Sequence, residues 1–343
     1  MAPRILVAGL GSMGKRRVRN LQFLGMDVVG LDISEERRRQ SSDLYGIGTH
    51  ADIGAALAEK PDAMVISTPP HVHKEYAISS IKHRLPFFTE VNTMPPGDMQ
   101  EIIDLCSKNG TRGMPSCNVA FHPSVRRIRS LLEGGAIGRP LLAHFHSGAY
   151  LPDWHPWENL SDYYVYKKET GGGRDQIMWE LSWLSMLLGR PRTVLGHAKK
   201  LGDFDADIFD TYALQMELEG GTLGSVVVDV IQRPPSRHLE ITGTSGTIRW
   251  DYGARTVVVS DGGDWSSYPE KDDCHGYPVE QRKPGFASKD VGMTESYIDE
   301  MRAFLDVVGG GSPAFTLEDE RDLLKAMYEA EASSETGAKR SIG

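Results

Sequence analysis

The 343-residue chain is long enough for two domains, and its 40% apolar and 25% charged residues are the balance of a water-soluble globular protein with a sizeable core. A formal net charge of −9 argues against nucleic acid or an anionic membrane as the main partner. No apolar run approaches the ~20 residues of a membrane span, and the three cysteines, without a CxxC pair, provide neither a disulfide framework nor a zinc site.

Ile5-Leu6-Val7-Ala8 reads as a buried parallel strand, entered directly from Met1-Ala2-Pro3-Arg4 with no room for a signal peptide. With the cysteine usage, this predicts a cytoplasmic protein. Gly9-Leu10-Gly11-Ser12-Met13-Gly14 follows, and Lys15 to Leu21 reads as the first turns of a helix. Strand, glycine turn and helix N-terminus together make a phosphate site, because the turn lets a pyrophosphate approach free N–H groups and the helix dipole. A second apolar run, Val28 to Leu31, ends in Asp32, eighteen residues after Gly14. That is close to the ~20-residue offset of the acid that accepts from an adenosine ribose. Arg37-Arg38-Arg39 offers charge for a 2′-phosphate, but Asp32 would repel one, so NAD is expected over NADP.

Further along, helices are predicted at 35–45 and 53–59, a strand at 63–67 broken by Thr68-Pro69-Pro70, and a helix from His73 to Ile81. A strand at 86–90, a helix from Pro96 to Lys108 and a short strand at 113–116 complete a doubly wound parallel sheet. His71 and His73 have an HxH spacing, but no nearby carboxylates or cysteines make them a metal site. The rhythm then changes, which sets a boundary between a Rossmann domain over 1–121 and a second domain over 122–343. That domain opens with a helix at 123–133, which His122 caps, and a strand at 140–145. Gly171-Gly172-Gly173 starts a helix running to Leu188, and β segments follow at 211–217, 222–229, 238–242, 247–251 and 255–259. Strands joined by short turns predict an open antiparallel sheet, hence an α+β fold for the second domain. Residues 262–292 read as a polar surface loop, and helices at 294–308 and 317–331 close the chain.

Five motifs in this order, Gly9–Gly14, Ser67-Thr68-Pro69-Pro70-His71-Val72-His73, Asn118-Val119-Ala120-Phe121-His122-Pro123, Gly171–Gly173 and Gly243–Asp251, resemble the glucose–fructose oxidoreductase, inositol dehydrogenase and MocA family of NAD(P)-dependent enzymes. The resemblance implies hydride exchange with the carbinol of a sugar or polyol. It also implies a sheet domain that forms oligomer contacts, so a homodimer or homotetramer is expected. It adds Ser67, Thr68, Pro69, His73, Glu90 and Asn118 to the cofactor residues. It breaks at the proton-handling groups. Glu90-Val91-Asn92 stands where the family carries Glu-Lys-Pro, and the family's Asp and His, four apart on a helix, are either Asp175 and Trp179 or, one register on, Gln176 and Glu180.

Oxidation of an alcohol needs a base for the hydroxyl proton. His155, in Trp154-His155-Pro156-Trp157-Glu158, is the best replacement by chemistry, set against a structural aromatic corner. Glu180, inside Ile177–Leu181, is either functional or ion-paired. Asp175, in the register that matches it to the family's aspartate, would bind substrate hydroxyls or orient a partner, and Lys167 or Lys168 would replace the lost lysine unless the pair is a solvated surface. Arg233 and Arg237 either hold an anionic substrate group or belong to a polar strand connection. Three functions stay open: an NAD-dependent sugar oxidoreductase, a redox-neutral enzyme that uses NAD transiently, and a silent NAD- and sugar-binding regulator.

Overall fold

In the computed structural model, described residues are 2–154, 159–162, 164–270 and 291–343. Two compact units emerge: Met1–Asn92, Gly97–Asn118 and Asp273–Glu320 form the first, and Thr93–Pro96, Val119–Asp272 and Arg321–Gly343 the second.

The first unit alternates β1 (Arg4–Ala8), α1 (Ser12–Phe23), β2 (Asp27–Leu31), α2 (Glu35–Tyr45), β3 (Gly48–His50), α3 (Ile53–Ala58), β4 (Ala63–Ile66), α4 (His73–Lys82), β5 (Phe87–Thr89), α5 (Pro96–Asn109) and β6 (Gly113–Pro115). All six strands are parallel, in the order β3-β2-β1-β4-β5-β6. Ile5, Leu6, Val7 and Ala8 are wholly buried, as are Ala63 to Ile66. Continuous apolar strands of this kind belong to a sheet covered on both faces. Chain order reverses between β1 and β4, so the turns after these two strands lie at the topological switch point, where such sheets bind ligands.

In the second unit come α6 (Pro123–Glu133), β7 (Pro140–Gly148), α7 (Gly173–Leu188), β8 (Pro191–Lys199), β9 (Thr211–Leu218), β10 (Leu223–Asp229), β11 (Ser236–Gly243), β12 (Thr247–Asp251), β13 (Thr256–Ser260) and β14 (Ser266–Pro269). After these, α8 (Val291–Val308) belongs to the first unit, α9 (Leu317–Thr336) begins in the first and continues in the second, and β15 (Arg340–Ser341) ends the chain. The sheet order is β14-β13-β12-β11-β7-β10-β9-β8-β15. Tyr212, Leu214, Met216 and Leu218 alternate inward along β9. Trp183 of α7 packs edge-on against Phe145 and Trp250, with centroids 5.3 and 5.6 Å apart.

Three sequence expectations need correction. The second sheet is mixed: β10 lies between β7 and β9, antiparallel to β9 and parallel to β7. Strand β8 is unexpected, because Pro191 and Gly196 interrupt its alternation, and β14 lies within the stretch read as loop. A single cut at 121/122 assigns α8 to the second domain, whereas its Phe304 packs on Phe88 of β5 at 5.7 Å and its Glu300 bonds to Arg17 of α1.

Candidate functional site

The glycine turn is built into the switch point. Gly9 has φ +89°, and a Cβ there would lie 2.5 Å from the Ser67 carbonyl oxygen; one on Gly14 would lie 1.8 Å from the Gly9 carbonyl. A Cβ on Gly11, by contrast, would meet nothing nearer than Arg37 Nη1 at 3.9 Å. Leu10, Ser12 and Met13 complete the turn, with the first-turn N–H groups of α1 lacking intrahelical acceptors. Asp32 is nearly buried. Its Oδ2 accepts from Leu10 N at 2.8 Å and its Oδ1 from Ser34 N at 2.8 Å, so its carboxylate is held beside the turn. Arg37 Nη1 stands 3.9 Å from Oδ2, and Arg38 donates to the Asp32 carbonyl.

On the other side of the turn, Ser67 N donates to Ala8 O and its hydroxyl to Glu90 Oε1 at 3.2 Å. Thr68 Oγ1 is buried and has no hydrogen-bond partner among the described residues. Pro69 leads extended into the 3₁₀ turn Pro70–Val72, from which His73 starts α4. His73 is wholly buried between the Thr68 carbonyl and Asn92. Asn118 is buried too, its amide meeting Met293 Sδ and Ser296 Oγ.

Glu90 is clamped rather than loose. Arg17, wholly buried on α1, donates to both its oxygens, at 2.6 and 2.8 Å, and to Glu300 Oε2 at 2.7 Å. Ser116 Oγ and Cys117 N donate to Glu300 Oε1 at 2.9 and 2.6 Å. Burial pushes the Glu300 carboxyl up, and Arg17 opposes it. For Arg17, burial acts to lower the guanidinium pKa, but the charges of Glu90 and Glu300 reverse this and raise it. Sequence reasoning missed Arg17, the cation that clamps Glu90, and Glu300, the second carboxylate that shares it. The signal was there: Arg17 lies among Gly14, Val18 and Leu21 on the buried stripe of α1, and Glu300 beside Met301 and Phe304 on that of α8.

In the second unit, the triple glycine is a packing device. A Cβ on Gly171 would lie 1.9 Å from Val165 Cα, and one on Gly173 2.7 Å from the Phe209 carbonyl. On α7, Gln176 and Glu180 turn inward, bonded to each other at 3.0 Å, whereas Asp175 and Trp179 share a half-buried face. Glu180 takes the ion-paired one of its two readings: Arg237 Nη2 and Nε donate to Oε1 at 2.8 and 3.1 Å, and Trp183 Nε1 to Oε2 at 2.8 Å. Replacing Glu180 with alanine is expected to cost about 3–5 kcal/mol, measured by urea unfolding, because Arg237 would be left buried without its counter-charge. The Arg237 guanidinium also lies over the rings of Trp179 and Tyr252, at 4.8 and 5.2 Å. Asp175 Oδ2 is 3.4 Å from Tyr164 Oη. Lys167 is exposed and bridges Asp207 through its backbone, while Lys168 Nζ lies 4.5 Å over the Phe209 ring. Arg233 pairs with Asp153 at the surface. His122 caps α6 by accepting from Ser124 N; burial, followed by the charges of Arg237, Arg255 and Arg126, pulls its pKa down to about 3. His155 lies outside the described residues. Among the described residues no histidine, cysteine and carboxylate cluster is arranged to hold a metal, and no helix is long and apolar enough to cross a membrane.

Residues 3–116 match the family described as an oxidoreductase family with an NAD-binding Rossmann fold, and residues 125–249 match the GFO/IDH/MocA C-terminal domain. The chain belongs to the GFO/IDH/MocA oxidoreductase family. Inositol 2-dehydrogenase 3 of Saccharopolyspora erythraea is 26% identical over 76% of this chain and 77% of its own length. The 2,7-anhydro-N-acetylneuraminate hydratase of Escherichia coli K12 is 26% identical over 55% of this chain, which spans about half, 51%, of that relative's length. Among solved structures, an oxidoreductase from Agrobacterium radiobacter in complex with NAD+, L-tartaric acid and magnesium superposes with TM-score 0.86 at 18% identity, over 100% of this chain and 99% of that one. At that identity the likeness concerns the fold.

Proposed function

We propose that this protein is an NAD-dependent oxidoreductase acting on a CH–OH group of a sugar or sugar-like polyol. The observation that carries the reading is the Gly9–Gly14 turn at the β1/β4 switch point with the Asp32 carboxylate fixed beside it. NAD fits the residues present. The open space at Gly11 admits a pyrophosphate against the α1 N-terminus, Asp32 retains lone pairs for ribose hydroxyls, and the buried Thr68 hydroxyl lacks the partner a nucleotide would supply. Bound there, NAD supplies the hydride acceptor. Ser67, Pro69, His73, Glu90 and Asn118 complete the cofactor site, with Arg17 donating to both Glu90 oxygens.

In the second unit, the half-buried face of α7 offers Asp175 for substrate hydroxyls and the Trp179 ring for the apolar face of a sugar. Val91 leaves the hydroxyl proton to another group, and Asp175 and His155 are the candidates; Glu180 is committed to Arg237. The relatives support the substrate class, since inositol and an anhydro sugar acid are both polyhydroxylated rings. A redox-neutral cycle on retained NAD is not favoured. The test is to release and identify the nucleotide of the purified protein, then follow NADH formation over a panel of polyols, sugars and sugar acids. No nucleotide and no turnover would defeat the reading, and unchanged rates in Asp175→Asn or His155→Ala would remove that residue as the base.

Asp32→Ala is expected to weaken NADH binding about tenfold, the value of a hydrogen bond to a charged acceptor, while NADPH binding holds or improves because the repelling carboxylate is gone and Arg37 remains. Fluorescence titration with both nucleotides checks this; equal losses would refute the ribose role. The homodimer or homotetramer is proposed on the outward face of the second sheet. There Leu142 and Leu223 are exposed cross-strand partners, and Leu195 lies on the same face two residues along from their register. Light scattering of the purified protein measures it.

A further inference from the structure

A buried chain of polar side chains runs from the switch point to the start of α9. His73 Nε2 is 2.7 Å from the Thr68 carbonyl oxygen and Nδ1 is 2.8 Å from Asn92 Oδ1. On its far side, Asn92 Nδ2 meets Thr89 Oγ1 and Glu320 Oε2, each at 2.9 Å, and the Asn92 backbone N–H reaches Glu320 Oε1 at 3.2 Å. His73 and Asn92 are wholly buried and Glu320 is 2% exposed.

The Thr68 carbonyl accepts only, so Nε2 carries a hydrogen. A neutral ring would then aim the Nδ1 lone pair at the Asn92 oxygen, which is repulsive. Two arrangements remove the conflict, and both hold the same number of protons. In one, His73 is an imidazolium and Glu320 a carboxylate. In the other, the Asn92 amide is turned by half a rotation. Its nitrogen then donates to His73 Nδ1, and its oxygen accepts from the Thr89 hydroxyl and from a protonated Glu320. The amide's oxygen and nitrogen are nearly alike in shape, so their assignment follows from the partners. Burial chooses the neutral arrangement, since the other keeps two separated charges in a dry site. Glu90 favours a charged His73 and the exposed His71 opposes it, while the Glu320 carboxyl is met only by Asn92 among the described residues. Burial lowers His73 and pushes Glu320 up to about 8.

We propose that Glu320 is a positioning residue: it keeps one buried proton at neutral pH and, through Asn92, fixes His73 as the neutral Nε2–H tautomer that holds the Thr68 carbonyl. Ser67 and Thr68 pack directly on Gly9, so the proton steadies the glycine turn. That consequence rests on the reading of the turn as the NAD site. Removing the proton in alkali leaves Asn92 unable to satisfy both neighbours, and NADH binding weakens.

The direction of the pH effect follows from the proton. A carboxyl that binds its proton more tightly when folded contributes stability that is complete below its ordinary value near 4.5 and is lost as pH rises through about 8. The amide introduced by E320Q mimics the protonated acid and does not titrate. The full chain labelled with 15N-histidine is followed by NMR against pH, with His73 assigned from the spectrum of His73→Asn. The expected result is a neutral Nε2–H ring at neutral pH, an alkaline change in its shifts near pH 8 in the wild type, and no such change in E320Q. The melting temperature of E320Q should also lose the wild type's fall over that range. An imidazolium, an Nδ1–H tautomer, or an alkaline change retained in E320Q would overturn the proposal. If E320Q does not fold, the wild-type series alone decides between the two arrangements. NADH titration is a separate arm: a wild type that shows the expected His73 signals but binds no NADH defeats the nucleotide reading and leaves the proton assignment standing.

Discussion

Arg17→Met is expected to destabilise the folded protein by about 3–5 kcal/mol, a large share of the whole for a marginally stable fold. Arg17 is wholly buried and its three donors are divided between Glu90 and Glu300, so the methionine leaves two carboxylates facing each other with no cation. Glu90 retains some contact with solvent; Glu300 has none. The cost therefore concentrates at Glu300, and adding Glu300→Gln should recover a good part of it because the amide is neutral and still accepts from Ser116 and Cys117. Urea unfolding of the two single variants and the double variant forms the cycle. If Arg17→Met alone moved the midpoint by less than the equivalent of about 1 kcal/mol, the network would be no stronger than a surface ion pair.

This network also marks where reading from sequence stops. Apart from the three-residue β3, too short to show a pattern, the strands and helices of the first unit were legible because each is a local pattern: apolar runs for covered strands, the 3.6 period for helices, prolines and glycines between them. The turn and Asp32 were legible because that site is assembled within one βαβ unit. The order of strands in the second sheet was not, since nothing local in Leu223–Asp229 says that it lies beside β7 and parallel to it. Nor were the pairings Arg17–Glu300, 283 residues apart, and Asn92–Glu320, 228 apart. What the sequence does carry is the anomaly of a charge on an apolar helical stripe, as at Glu320 between Leu317 and Leu324. It marks a buried partner without naming it. Glu180 is the same case, and only Arg237, from a strand 57 residues on, decides its role.

Gly11→Ala is expected to separate the fold from its ligand. At Gly9 and Gly14 a methyl would strike backbone at 2.5 and 1.8 Å, so alanine at either position should cost folding itself. Gly11 is different. Its φ of −70° and ψ of −160° are open to any residue, and a methyl would find no heavy atom within 3.9 Å. The substitution should leave stability unchanged or raise it by about 0.4–1 kcal/mol through the less flexible unfolded chain. A pyrophosphate lying on the first-turn N–H groups of α1 would have to pass through the space the methyl takes. NADH affinity should then fall by at least about tenfold, or ~1.4 kcal/mol, with the melting temperature of the free protein unchanged or higher. The two readouts bear on different claims. A variant that melts as the wild type and binds NADH as well as the wild type would place the pyrophosphate elsewhere, because no described residue comes close enough to require glycine at this position.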